Sequence, residues 1–180
     1  EISNKLVPYH LNNEHKIVER IAADIASGMH YALVSDAGTP AISDPGFLLI
    51  RACIALDVEI ECLPGPTAFV PALVNSGFPS EKFIYEGFLP LKKGKQTRLQ
   101  YIADQEKTVV LYESPHRLLK TLKQFGEILE PNRQLSISRE ISKKFEETVR
   151  GNCEELIEHF THNPIKGEFV MVIAGKENRK

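Results

Sequence analysis

The chain has 180 residues, of which 42% are hydrophobic and 26% charged, with 11 Gly, 11 Pro and a formal net charge of −2. It is long enough for one large domain or two compact ones, and its composition excludes a disordered tail, a collagen-like repeat and a coiled coil. Cys53, Cys62 and Cys153 are an odd number of cysteines without C-x-x-C spacing, so neither a disulfide framework nor a metal site is expected and the reading is a reducing cytoplasm.

The segment Glu14 to Met29 sets Ile17, Ile21 and Ile25 four apart beside Val18 and Ala22. This is one apolar stripe of a helix, with Asn12 or Asn13 as cap and Gly28 as its end. Tyr31-Ala32-Leu33-Val34 reads as a buried strand. Asp44 and Pro45 suit an N-cap and first helical position for a second helix through Leu48, Leu49, Ala52 and Leu56. Val58 to Cys62 reads as another strand, and the loop Pro64-Gly65-Pro66-Thr67 leads to a third helix from Ala68 to Ser76, closed by Gly77. Alternation of strand, loop and helix at this spacing predicts βαβ units and a parallel sheet.

Beyond Phe88 the pattern changes. A basic connector, Lys92-Lys93-Gly94-Lys95, precedes a helix around Thr97 to Asp104 and a strand from Thr108 to Tyr112. A helix from Pro115 to Ile128, strands at 134–138 and 145–149, a helix from Cys153 to Phe160 and a final strand, Phe169 to Ile173, complete the series. The expected architecture is therefore α/β with two domains: residues 1–88 carrying the parallel sheet and residues 89–180 carrying a mixed α+β sheet.

No apolar run approaches the roughly 18 residues that cross a bilayer, and Glu1-Ile2-Ser3 does not open a signal segment. Neither membrane insertion nor export is expected. Basic residues cluster locally: Lys92, Lys93, Lys95 and Arg98 in one group, Arg139, Lys143, Lys144 and Arg150 in another. Such patches on a near-neutral chain suit a polyanion held at one place, although charge alone favours a solvated face.

The chemistry concentrates in Leu33 to Gly46, LVSDAGTPAISDPG, at the C-terminal end of the first expected strand. Ligands of open α/β sheets bind outside the carboxyl ends of strands, where loops expose backbone amides and helix N-termini. Gly38 lets the main chain approach a ligand, and Asp36, Thr39, Ser43 and Asp44 add short polar groups, although a long turn with two helix caps has the same composition. Neither G-x-G-x-x-G nor G-x-x-x-x-G-K is present, so dinucleotide and triphosphate pockets are disfavoured. The loop at Pro64–Thr67 can form a second wall of the same crevice.

Five ordered stretches carry a specific resemblance: SDAGTPAISDPG at Ser35–Gly46, PGPTA at Pro64–Ala68, SGFPSEKFIYEGFLP at Ser76–Pro90, YESPHR at Tyr112–Arg117 and REISKKFEE at Arg139–Glu147. From about Pro8 to Ala174 the chain resembles the ribosomal RNA small subunit methyltransferase I family of the tetrapyrrole methylase superfamily. The resemblance implies a two-domain α/β enzyme that binds S-adenosylmethionine between its domains and dimerises. It also implies methyl transfer to the ribose 2′-hydroxyl of a cytidine in 16S ribosomal RNA. A family element of the form G-N-L-x-D-I-T is not found, so the likeness begins some tens of residues into the family pattern.

Carried over by position, Asp36, Gly38, Thr39, Ile42, Thr67 and Ala68 are expected to hold the cofactor, with Tyr112, Ser138, Gly167 and Glu168 closing over it. Glu113 and His116 are the candidate bases for the hydroxyl proton. Lys92, Lys93, Lys95, Arg117, Arg139, Lys143 and Lys144 are the expected RNA contacts, while Tyr85, Phe88 and Tyr112 are candidates to stack on a base. Each has a plain structural alternative: a helix-terminal carboxylate for Glu113, an exposed first-turn residue for His116, a surface ion-pair cluster for Lys143 and Lys144. A tetrapyrrole or precorrin methylase of the same superfamily, and a non-catalytic RNA-binding or dimerising module, are the other functional readings.

Overall fold

The computed structural model describes residues 3–176. The chain forms two compact units, one running to Thr67 and the other starting at Ala68.

The first unit is built on α1 (Glu14–Ala26) and α2 (Phe47–Ala55). The apolar stripe of α1 buries Ile21 and Ala22 against Leu49 and Cys53 of α2, with Ile17, Val18 and Ile25 packed beside them. Asn13 precedes α1 but does not cap it: its Oδ1 accepts from the His10 amide at 2.8 Å and its Nδ2 donates to the Pro8 carbonyl at 3.0 Å, fixing the incoming chain. Helix α2 starts at Phe47 rather than after Asp44, because Gly46 has φ +150, a conformation no helix can include.

The segments expected as strands at 31–34 and 58–62 form no ladder among the described residues, and Tyr31, Val34 and Ile60 are exposed. Their composition suits a strand, but a strand exists only where a neighbour accepts its hydrogen bonds.

The second unit contains α3 (Phe69–Ser76), β1 (Phe83–Phe88), α4 (Lys95–Ala103), β2 (Thr108–Glu113), α5 (Leu118–Gly126), β3 (Leu135–Arg139), β4 (Glu147–Gly151), α6 (Cys153–His162) and β5 (Phe169–Ile173). Its sheet runs β1-β2-β5-β3-β4, with β1 and β2 parallel and the remaining pairs antiparallel. The boundary drawn at residues 88–93 therefore falls inside this unit, since the ladder from Phe83↔Thr108 to Phe88↔Tyr112 binds both sides of the basic connector into one sheet.

Alternation along the strands sends Val109, Leu111, Leu135, Ile137, Phe169, Met171 and Ile173 to the face covered by α4, α5 and α6. Val110, Val170 and Val172 face α3. Pro71 is tolerated as the third residue of α3, where its absent N–H has no intrahelical partner to lose. A capping box starts α6: the Asn152 side chain accepts from the Glu155 amide at 3.0 Å, and the Glu155 carboxylate accepts from the Asn152 amide at 2.8 Å. Among the described residues no helix is long and apolar enough to cross a membrane.

Burial separates the cysteines chemically. Cys62 is exposed, whereas Cys53 and Cys153 are buried. Desolvation raises the pKa of Cys53 and pushes that of Cys153 up to about 11. Because the thiolate is the reacting form, iodoacetamide at pH 8 is expected to modify Cys62 in the folded protein and the other two only in denaturant. Mass spectrometry of the labelled peptides checks this, and labelling of folded Cys153 at the rate of Cys62 would contradict it.

Candidate functional site

In the first unit the two Gly/Pro loops are bound to each other. Thr39 Oγ1 lies 3.1 Å from the Pro66 carbonyl, to which it donates, and 2.8 Å from Thr67 Oγ1. Gly38 has φ +76, and a Cβ placed there would stand 3.4 Å from the Pro66 oxygen, so the loops touch where the chain has no side chain. Ala41 at φ +67 and Ser43 at φ +60 are left-handed non-glycine residues in the same loop. Such backbone costs about 1–2 kcal/mol per residue and persists where surroundings enforce it. The result is a series of enforced turns with Asp36 and Ile42 exposed beside it. Of the expected cofactor residues, Asp36, Gly38, Thr39, Ile42 and Thr67 stand on these two loops, while Ala68 opens the second unit as an exposed residue.

Gly38 gives a test of this local geometry. Gly38→Ala is expected to cost about 1 kcal/mol or more in stability, because alanine strains at positive φ, while its methyl would make only an ordinary contact with the Pro66 carbonyl. Urea denaturation checks this, and an unchanged midpoint would contradict the left-handed backbone at Gly38.

In the second unit the strand order places the carboxyl ends of β1, β2 and β3 on one sheet edge, since β2 and β3 are both antiparallel to β5. The register brings Phe88 opposite Tyr112, Phe169 between Glu113 and Arg139, and Glu147 opposite Arg139. Every residue expected from the second half, apart from the connector, lies along or just beyond this edge. Tyr112 is half-buried in an aromatic cluster, its ring centroid 5.6 Å from Tyr85 and 5.5 Å from Phe88.

Glu113 is a buried hub. Its side chain has no exposed surface; Oε1 lies 2.7 Å from Arg117 Nη2 and accepts from the Ser114 amide at 2.8 Å. Oε2 accepts from Thr121 Oγ1 at 2.7 Å. Thr121 Oγ1 in turn accepts from Lys95 Nζ at 3.1 Å, and Arg117 Nη1 donates to the Leu89 carbonyl at 3.0 Å. A general base must reach the proton it takes. The carboxylate of Glu113 is committed on both oxygens and has no exposed surface, the arrangement of a structural hub. His116, by contrast, is exposed on the turn between β2 and α5.

The structure also sorts the expected RNA cations. Lys95 is buried, and desolvation lowers its pKa, with Glu113 opposing the fall and Arg117 and Lys120 adding to it. It is a network member and not a phosphate contact. Arg117 is spent on Glu113 and Leu89. Arg139 Nε pairs with Glu147 at 2.7 Å, and its Nη1 donates to the Pro164 carbonyl. Lys143 bridges Glu140 at 3.1 Å and Glu168 at 3.0 Å; the hydrogen bonds it donates to Glu168 and then Glu140 raise its pKa. Lys92, Lys93 and Lys144 remain exposed with no ion pair among the described residues, Lys144 lying over the Phe145 ring at 5.6 Å.

Two expected cofactor residues have structural work of their own. The Ser138 hydroxyl is buried and 2.8 Å from Thr148 Oγ1 on the neighbouring strand. Gly167 leaves room for the Glu140 carboxylate, which a Cβ there would strike. Glu140 accepts from the Glu168 amide at 3.0 Å, and that bond is the first cause of its lowered pKa, followed by Lys143. Glu140 at φ +49 and Ser142 at φ +62 make this a second enforced turn.

The sequence singled out neither Thr121 nor, beyond its place at the end of the Arg139–Glu147 motif, Glu147 as the partner of Arg139. Thr121 lies one helical turn beyond Arg117, a spacing that puts both on one helix face and could have flagged it. Glu147 meets Arg139 only through the strand register.

The family model described as Tetrapyrrole (Corrin/Porphyrin) Methylases matches residues 4–157. The chain is 43% identical over 176 residues to "Ribosomal RNA small subunit methyltransferase I" of Synechocystis sp., covering 97% of this chain and 63% of that protein. It is 44% identical over 174 residues to the protein of the same name in Hydrogenobaculum sp., covering 96% and 75%. For the Bacillus subtilis protein of that name the figures are 38% over 181 residues, 100% and 62%. The chain thus spans less than two thirds of the Synechocystis and Bacillus relatives. Among solved structures it resembles the methyltransferase CobJ at TM-score 0.65 and 20% identity, covering 96% of this chain and 74% of that one. It also resembles uroporphyrin-III C-methyl transferase from Thermus thermophilus complexed with S-adenosyl homocysteine, at TM-score 0.57 and 18% identity, covering 86% and 70%. At these identities the structural likeness establishes the α/β fold.

Proposed function

The chain belongs to the tetrapyrrole methylase family, and on that premise we propose that it is part of an S-adenosylmethionine-dependent enzyme that methylates the ribose 2′-hydroxyl of a cytidine in 16S ribosomal RNA. The observation that carries the choice of substrate is sequence likeness: relatives named for the small ribosomal subunit share about twice the identity of the solved corrin and porphyrin enzymes. The cofactor named in the Thermus neighbour's title, in its demethylated form, supports S-adenosylmethionine as methyl donor.

The first unit's loops fit such a ligand. The contact of Gly38 with Pro66 and the left-handed turns at Ala41 and Ser43 hold the two loops together, with Asp36, Thr39 and Thr67 as polar groups and Ile42 as an apolar one. When bound, the cofactor supplies an electrophilic methyl on a sulfonium.

The protein's task is then to hold the ribose oxygen in line with that carbon and to keep water away. His116 accepts the hydroxyl proton as the oxygen–carbon bond forms, and Lys92 and Lys93 hold phosphates without reading sequence. Tyr112, Gly167 and Glu168 line the sheet edge on which the second unit meets its ligands. The same reading implies a cytoplasmic protein and a homodimer, and analytical ultracentrifugation checks the oligomeric state.

Calorimetry with S-adenosylmethionine and transfer of its labelled methyl to 16S RNA or small subunits test the proposal. Expected are saturable cofactor binding and label on a cytidine 2′-oxygen. Binding with transfer only to a tetrapyrrole would replace the substrate, and absence of binding would favour a non-catalytic module.

A further inference from the structure

We propose that the buried chain Arg117–Glu113–Thr121–Lys95 is a positioning device that holds the loop between β1 and α4 in a fixed shape for the RNA sugar–phosphate backbone. This rests on the RNA reading above and adds to it the residues that shape the contact. The loop is pinned at both ends to a single carboxylate. At its start, Arg117 donates to the Leu89 carbonyl at 3.0 Å while lying 2.7 Å from Glu113 Oε1. At its end, Lys95 Nζ reaches Thr121 Oγ1 at 3.1 Å, and Thr121 reaches Glu113 Oε2 at 2.7 Å. The Lys95 amide closes the last turn onto the Lys92 carbonyl at 3.2 Å.

Between the pins the loop turns outward: Leu91 is 78% exposed, and Lys92 and Lys93 are exposed beside it. Apolar side chains of equal volume hold loop ends at least as well as a buried ion pair, so stability alone does not account for an ionic hub. The hub sets two cations, Arg117 and Lys95, against one carboxylate, beneath a loop that carries two more lysines. That surplus of positive charge is relieved by an arriving polyanion. A loop already in its binding shape loses less freedom on binding, which is how a side chain remote from the ligand raises affinity.

The test uses the full-length enzyme and 16S RNA, with dissociation constants measured at several salt concentrations. Compared are wild type, Lys92→Ala/Lys93→Ala, Thr121→Val, Thr121→Ser, and Thr121→Val combined with the lysine pair. Thr121→Val, isosteric but without the hydroxyl, is expected to weaken RNA binding about tenfold, and Thr121→Ser to stay near wild type. On the lysine-free background Thr121→Val is expected to add nothing, because the hub acts through the loop. Wild-type RNA affinity in Thr121→Val, or a loss that adds in full to that of the lysine pair, overturns the proposal. If Thr121→Val does not fold, Arg117→Lys, which keeps a cation beside Glu113 but gives up the fork to Leu89, reads the other pin by the same cycle. Failure of the wild-type enzyme to bind RNA overturns the RNA reading itself, and is seen before any variant is compared.

Discussion

Truncation of Glu113 to alanine is expected to destabilise the second unit by about 3–5 kcal/mol, the cost of leaving buried charges without their partner. The carboxylate has no exposed surface and lies 2.7 Å from the Arg117 guanidinium. Its loss also leaves Lys95, 8% exposed, with a hydroxyl as its hydrogen-bond partner and no opposing charge. Urea denaturation is the measurement, with the loss appearing as a lower midpoint at unchanged slope.

The cost carries a sign in pH. Burial holds the Lys95 pKa below the ordinary lysine value of 10.5, so the unfolded chain keeps this proton to higher pH than the folded one. Stability from this group therefore rises with pH through the window between the lowered pKa and 10.5. In Glu113→Ala the penalty should shrink as pH climbs into that window, since a neutral lysine needs no counter-charge. A loss under about 1 kcal/mol at neutral pH would be that of an ordinary exposed ion pair and would contradict the hub.

Replacing His116 by asparagine is expected to lower the rate of methyl transfer by about 10²–10⁴-fold, the usual worth of a positioned base. Affinity for S-adenosylmethionine should stay near wild type, because proton removal belongs to the transition state and not to cofactor binding. The residue is exposed on a turn held by the Arg117 and Leu118 amides, which donate to the Ser114 carbonyl at 3.0 and 3.1 Å. Ser114 is itself tied to Glu113, so the imidazole is carried by an anchored backbone. Single-turnover rates at saturating RNA and cofactor isolate the chemical step. Raised pH should restore part of the rate in the variant. A near-wild-type rate would remove His116 from the reaction and leave positioning as the protein's whole contribution.

Local patterns placed most elements of the second unit, though not β1 at Phe83–Phe88. The strand expected at Phe169–Ile173 is observed at those residues, and the strand at Thr108 and the helix at Cys153 begin where expected. Runs such as Thr108-Val109-Val110-Leu111 are buried on both faces, and capping residues such as Asn152 act within one turn, so their signals lie within a few neighbouring residues. The resemblance carried by five ordered motifs led to the family, because Gly and short polar residues such as those of Ser35–Gly46 are demanded by backbone shape and survive as a pattern.

Tertiary structure decided what those patterns cannot hold. Tyr31–Val34 has the composition of a strand and no ladder among the described residues, since pairing depends on a neighbour distant in sequence. Lys92, Lys93 and Lys95 look alike in the sequence, yet two face solvent and the third is buried on Thr121, a residue 26 positions away. Glu113 and His116 stand three apart in one motif, and the fold buries the first among cations while leaving the second exposed. Residue type and spacing establish which groups are available for chemistry; burial and partner choice, which arise from contacts far apart along the chain, determine which of them are free to act.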